Sequence, residues 1–276
     1  MVGDKYLTTE ILRHGAYLCI QVRNGADMVA FPRVPMAALA DDLGLESEFT
    51  ADGPPPQKSI AFLRRQTSRA RDILDEAVER AHYVIHVASK SSDPVMNFCV
   101  QARGLLEPYA EVRVLAGVVR PRTYSSGAME KFAYERAVVQ QPGAIMPNGF
   151  LIPMSKTAEW WRKDWMERHT YFLPRYDDEG RMVAEGHALA AEAGIACLLR
   201  RSYHAVDLPA PAGSYDFITY FECSDVDVPV FEGVCAALRD VKRNPEWKFV
   251  REGPTWHGRR VATWEDLVGT RESGAR

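Results

Sequence analysis

Phe217-Ile218-Thr219-Tyr220-Phe221, then Asp225 and Asp227-Val228-Pro229, then a helical run to about Val241, and finally Lys248-Phe249-Val250-Arg251, is the stretch that decides the fold. It reads as strand, acidic helix cap with an early proline, amphipathic helix, strand. An earlier stretch repeats the pattern: Tyr83-Val84-Ile85-His86-Val87 leads through Ser91-Ser92-Asp93-Pro94 into a helix ending near Leu106, then a strand from Val112 to Val119. Two such units make a weak internal repeat and predict an α+β chain of two ferredoxin-like halves. The expected divisions are 1–120 for the first half, 121–146 for a turn-rich linker, 147–268 for the second half and 269–276 for a polar tail.

Outward from these units, Ala16 to Val22 is a strand candidate, and Met28 to Val34 is expected to pair back on it as a hairpin. Apolar residues Ile60, Leu63, Ala70, Ile73, Leu74, Ala77, Val78 and Ala81 recur at helical spacing and predict a long amphipathic helix from about Ser59 to Ala81. In the second half, Phe150 to Lys156 reads as a strand. Thr157 then caps a helix carrying Trp160, Trp161 and Trp165. A further helix is expected over Glu179 to Ala193, stopped by Gly194. Ile195 to Val206 follows as a strand that places Leu198, Arg200, Ser202 and His204 on one face.

The whole chain sets bounds on function. With 276 residues, 46% hydrophobic, there is enough apolar material for a sizeable core. A formal charge of −3 provides no footprint for nucleic acid or anionic membranes. Met1 to Glu10 is polar and no window holds the roughly 18 apolar residues of a membrane span. The expectation is a soluble cytoplasmic protein with a small-molecule substrate and neither a nucleic-acid nor a membrane partner. The five cysteines form no CxxC pair, which favours buried free thiols over zinc or redox motifs.

Candidate chemistry is concentrated between Gly186 and Tyr203. There is no HExxH, no phosphate-binding glycine loop and no GxSxG elbow. His187 lies among Gly186, Ala188, Ala190 and Ala191, a thin surface that would let a flat macrocycle reach a ring nitrogen. Arg200 follows thirteen positions later. Taken singly, His187 also suits a structural histidine, Arg200 a strand-edge ion pair, and Trp160-Trp161 plain core packing. His82 and His86 read as packing or surface residues. These residues describe an α+β enzyme or binding protein with a pocket lined by histidine, arginine and tryptophan.

Three blocks resemble the chlorite dismutase superfamily of heme proteins, which includes the coproheme decarboxylases. They are Ile152-Pro153-Met154-Ser155-Lys156-Thr157-Ala158-Glu159-Trp160-Trp161, His187 with Leu199-Arg200-Arg201-Ser202-Tyr203-His204, and Asp216 to Glu222 through Val250 to Pro254. The resemblance implies a pseudo-symmetric dimeric-type α+β barrel that holds heme b in its second half and assembles as a homo-oligomer. It makes His187 the iron ligand and Arg200 the distal catalytic residue. Lys156, Trp160, Trp161 and Tyr124 become candidates for lining the heme edge or anchoring its propionates. Glu246, then Glu222, are candidates for the acid behind His187. Coproheme decarboxylases place a catalytic tyrosine where this chain has Ile152, so the resemblance favours the dismutase branch: chlorite to chloride and dioxygen, or chemistry on another small oxidant such as peroxide. A heme enzyme for an N–O or N–N organic compound, a heme-maturation protein, and a non-heme barrel with a structural His187 remain as alternatives. Residues 162–178 read as extra material relative to the family.

Overall fold

Strands of alternating inner and outer side chains build the molecule, described here by a computed structural model over residues 14–48, 56–69, 75–119 and 146–269. The first half runs β1 (His14–Val22), α1 (Met36–Asp42), β2 (Glu46–Ser47), β3 (Lys58–Arg69), α2 (Glu76–Glu79), β4 (Tyr83–Ser89), α3 (Ser92–Leu106) and β5 (Ala110–Val118). The second runs β6 (Asn148–Lys156), α4 (Ala158–Arg162), α5 (Trp165–Thr170), a small hairpin of β7 (Arg175–Tyr176) and β8 (Met182–Ala184), then α6 (Gly186–Ala190) and β9 (Leu199–His204). It ends with β10 (Phe217–Cys223), α7 (Val228–Arg239), β11 (Val250–Glu252), β12 (Thr255–Val261) and α8 (Trp264–Val268). The strand orders β5-β1-β4-β3 and β9-β10-β6-β12 are the same ferredoxin-like arrangement used twice.

The two half-sheets join into a ring. The β3–β12 seam is long, from Arg69↔Thr255 to Phe62↔Val261. The β5–β9 seam carries one registered pair, Val118↔His204. Closure removes the exposed edges that two separate half-sheets would present. Alternation then divides the side chains. Tyr17, Cys19, Leu63, Val84, Leu151, Tyr203, Tyr220 and Trp256 point into the barrel and pack together. On the outside of the first half, Leu18, Ile20, Phe62, Ile85 and Val87 pack against α3 through Val95, Phe98 and Ala102. On the outside of the second half, Phe150 and Ile152 meet α7 through Phe231, Val234 and Leu238, and α6 through Ala190. Burying each such side chain contributes about 1.5–3 kcal/mol.

Several elements differ from the sequence expectation. Residues 59–69 are strand β3, not helix, and among the described residues of the expected helix only Glu76–Glu79 is α-helical; 70–74 lie outside the described residues. Ser59 to Leu63 is buried because one face lines the barrel and the other meets the helices. A short run apolar on both faces carries no strand period, so it mimics a helix stripe. Met28 to Val34 forms no hairpin strand; Phe31–Arg33 is a 3₁₀ turn containing Pro32, with Phe31 buried. The expected helix over 179–193 begins only at Gly186, after strand β8. One helix was expected after Thr157. There are two, because Lys163 leaves the helical conformation and Asp164 caps α5 by accepting from the Glu167 amide. Lys248 and Phe249 belong to a 3₁₀ turn, Pro245–Phe249, that precedes β11.

The five cysteines are free thiols. Among the described residues no helix is long and apolar enough to cross a membrane, and no group of three His, Cys, Asp or Glu side chains is placed to hold a metal ion. Gly15 on β1 makes room for the Tyr203 ring: a Cβ there would sit 2.2 Å from its Cζ. Gly149, the corresponding glycine of β6, does the same for Tyr220, whose hydroxyl would lie 2.6 Å from a Cβ. Gly15→Ala is therefore expected to lower stability by about 1–3 kcal/mol through overpacking, measured as a shift in the urea unfolding midpoint.

Candidate functional site

The end of β6 starts the site. Thr157 caps α4 through its side chain, accepting from the Trp160 amide, and this turns the chain so that Lys156 points under the outer layer. The Lys156 side chain is 7% exposed and bonds Glu246. Its Nζ also lies 4.4 Å from the centre of the Trp160 ring, a cation–π contact in a desolvated place. Glu246 comes from the Pro245–Phe249 turn and is 3% exposed. Its second oxygen lies 2.7 Å from His187 Nδ1.

Charge fixes the proton positions. Burial alone would raise the Glu246 carboxyl, but the Lys156 ammonium and the His187 ring outweigh it and hold the group at about 2. Burial lowers the Lys156 pKa while Glu246 opposes that fall. Glu246 is thus a carboxylate, which can only accept hydrogen bonds. His187 Nδ1 must donate to it, so in the neutral ring the lone pair is on Nε2. This is the tautomer of a metal-binding histidine backed by a carboxylate.

Backbone geometry aims the ring. Gly186 has φ +69°, and a Cβ there would fall 2.4 Å from the Leu173 carbonyl oxygen. Only glycine meets both conditions without strain, so Gly186 starts α6 where a longer helix was expected. The His187 and Ala188 amides donate to the Tyr171 and Phe172 carbonyls. The Glu185 and Gly186 amides donate to the Arg243 carbonyl, and the Arg243 side chain returns a two-pronged bond to Glu185. The segment that reads as extra material in the sequence is the bed for the histidine helix: Phe172 packs 5.1 Å from the His187 ring centre, and Trp160, Tyr171, Phe172, Ala188 and Phe249 form one buried cluster.

Arg200 is exposed on β9, opposite Phe221. Register places it on the outer face with Ser202, Thr219, Phe221 and Ile152, the face that packs on α6 and α7. The next residue, Arg201, points into the barrel and bonds Glu48. Trp161 lies farther along the outer face. It stacks on Phe217 at 6.1 Å and donates through Nε1 to Asp216 at 3.1 Å. His187, Lys156 and Trp160 are therefore in one cluster, with Arg200 and Trp161 on the sheet face that α6 covers. Tyr124 lies outside the described residues. Of the two acids named from the sequence, Glu246 meets His187, while Glu222 is inside the barrel, 2.7 Å from Arg260. Asp216, which also accepts from the Lys156 and Ala210 amides, was missed. Its partners are distant in sequence, so no local motif marks it.

No family model matches the chain, and no curated protein matches it by sequence. Solved structures do: the fold is that of the chlorite dismutases, two ferredoxin-like halves joined as one barrel. Among the similar structures are chlorite dismutases from Candidatus Nitrospira defluvii. The protein in complex with imidazole has a TM-score of 0.66 and 19% identity, over 96% of this chain and 97% of the other. A tryptophan-to-phenylalanine variant in complex with cyanide has a TM-score of 0.66 and 18% identity, over 97% and 98%. A variant with lysine in place of an arginine matches with a TM-score of 0.66 and 19% identity, over 96% and 97%.

Removing the Glu246 carboxylate strands a buried ammonium. Glu246→Ala is expected to cost about 3–5 kcal/mol, and Glu246→Gln, which keeps an acceptor, less; denaturant titration measures both. Because the folded value is depressed, the carboxylate's contribution is complete above the ordinary value of 4.5 and is lost as pH falls through about 2. The wild type should therefore lose part of its stability across that window, and Glu246→Gln should lose less.

Proposed function

We propose that the chain is a heme b-dependent oxidoreductase of the chlorite dismutase type, converting chlorite to chloride and dioxygen or acting on another small oxidant such as peroxide. The observation that carries this reading is the His187–Glu246 pair. An imidazole held by a buried carboxylate on Nδ1, with its lone pair on Nε2, suits an axial iron ligand. The surroundings fit the group as well. The helix bearing His187 is thin, with Ala188 and Ala190 beside it, and the facing sheet carries half-buried Thr219, Phe217 and Met154, which suit the flat face of a macrocycle.

His187 would hold the iron, and Lys156, Trp160 and Trp161 would border the ring. Bound there, heme would supply the redox chemistry that cleaves a bond of a small oxygen-bearing ligand. The chain's own part is electrostatic and steric. Glu246 keeps the His187 proton on Nδ1 and strengthens the ring as a donor. Arg200 is a permanent cation on the sheet face. It would orient an anion such as chlorite, and would hold the departing anionic fragment until oxygen–oxygen bond formation completes the overall change, ClO₂⁻ to Cl⁻ and O₂. Ile152 on the same face has no ionisable or oxidisable group, which supports chemistry on a small ligand over chemistry on the cofactor's own substituents. The same reading makes the protein a homo-oligomer.

Addition of heme b to the purified chain is expected to produce a Soret band that His187→Ala weakens strongly; absence of any Soret band overturns the reading. Oxygen release on adding chlorite is expected to fall about 10²-fold in Arg200→Ala, the scale of losing one preorganised charge-stabilising group. A loaded wild type that releases no oxygen from chlorite and consumes no peroxide removes the dismutase assignment while leaving heme binding in place.

A further inference from the structure

The barrel interior holds a polar cluster that the proposed chemistry on the outer face does not use. His86 on β4 is 1% exposed, and its Nε2 lies 3.0 Å from the Tyr203 hydroxyl on β9, also 1% exposed. The Tyr17 ring stacks on His86 at 4.6 Å and 25°, and Tyr220 lies nearly parallel to it at 6.1 Å and 18°. On its other side, His86 Nδ1 faces the Glu48 carboxylate at 3.5 Å, and the Arg201 guanidinium lies 2.7 Å from the same Glu48 oxygen. We propose that Tyr203 and His86 form a proton-coupled redox pair: a phenol that gives up an electron to an oxidant in the outer-face site and its proton to the neighbouring imidazole.

Geometry selects this phenol over the others in the cluster. Oxidation of a phenol at neutral pH requires the proton to leave with the electron, so a base must already be in contact. The Tyr17 and Tyr220 hydroxyls are buried with no hydrogen-bond partner among the described residues. Tyr203 has an imidazole nitrogen at hydrogen-bond distance. Burial raises the Tyr203 pKa and lowers that of His86, so the resting pair is phenol plus neutral imidazole. Glu48 is held ionised because Arg201 and His86 outweigh its burial. Two groups face Nδ1: the Arg201 guanidinium at 3.4 Å, which can only donate, and the Glu48 carboxylate at 3.5 Å, which can only accept. In the proposed pair the tautomer is the one in which Nδ1–H is directed to Glu48 and the Nε2 lone pair faces Tyr203.

The step balances within the chain and one oxidant. The Tyr203 O–H bond breaks, its proton forms a bond to His86 Nε2, and its electron reduces a one-electron oxidant of the class a peroxide-treated heme supplies. The resulting imidazolium faces the Glu48 carboxylate, which favours it, and the Arg201 guanidinium, which opposes it, so the proton is held only transiently and returns when the phenoxyl radical is reduced. Strand alternation provides the route: Tyr203 sits between Ser202 and His204, whose side chains are on the outer face with Arg200, so one strand of backbone separates the phenol from that site. The pair would drain oxidising equivalents left in the site when no substrate is present. This inference rests on the heme reading above.

Electron paramagnetic resonance of heme-loaded protein frozen after peroxide addition tests it, with the Soret band measured on the same sample. The wild type is expected to show a tyrosyl radical carrying a hydrogen-bond coupling that exchanges in deuterium oxide. Tyr203→Phe, folded by circular dichroism and loaded by its Soret band, should lose that radical. His86→Asn should lose the exchangeable coupling, and Tyr220→Phe should retain both features. A Soret band with no tyrosyl radical, or a radical unchanged in Tyr203→Phe, overturns the pair and leaves heme binding standing. A wild type without a Soret band instead overturns the heme reading, and the pair falls with it.

Discussion

Pairing of β6 along both of its edges is the constraint on which the second half depends. The strand bonds β10 on one side and β12 on the other, and its last residues also hold β11. Such a strand has no freedom to slip, because a one-residue shift would exchange its two faces. Gly149 and Leu151 therefore stay inside the barrel, Phe150 and Ile152 stay outside under the helices, and Lys156 arrives at the strand end where Glu246 waits.

The two halves are tied by a different kind of contact. Tyr17, Glu48 and His86 come from the first half, and Arg201, Tyr203, Tyr220, Glu222 and Arg260 from the second; they meet in the barrel interior. Buried ion pairs are weak sources of stability relative to apolar packing, but removing one partner is costly because the other charge is then stranded. This cluster therefore penalises a wrong docking of the halves more than it strengthens the right one. The β5–β9 seam, with a single registered pair, provides little of that discrimination itself.

On the outer face, one carboxylate organises the candidate site. Glu246 is bonded to both Lys156 and His187, so the strand end, the short histidine helix and a 3₁₀ turn are held in a single arrangement. Gly186 and the bed formed by Tyr171, Phe172 and Leu173 supply the steric half of the same task. Chlorite dismutase structures share this fold at 18–19% identity, so few identical residues are needed to specify it.

The sequence by itself determined the repeated strand–helix–strand units, because cap residues, early prolines and two-residue alternation are local and survive in any context. It also marked the Pro153-Met154-Ser155-Lys156 block and the small-residue setting of His187. Tertiary structure decided the rest. The continuous apolar run in β3 becomes a strand only because a barrel wall buries both of its faces, something helical spacing cannot report. The end of β8 and the start of α6 depend on a left-handed glycine pressed against Leu173. Glu246 and Glu222 are both candidates from the sequence for the acid behind His187, yet one backs the histidine and the other is closed inside the barrel with Arg260. The register of β10 turns Glu222 inward, and the packing of the Pro245–Phe249 turn against α6 brings Glu246 to His187; both exist only after the sheet has closed.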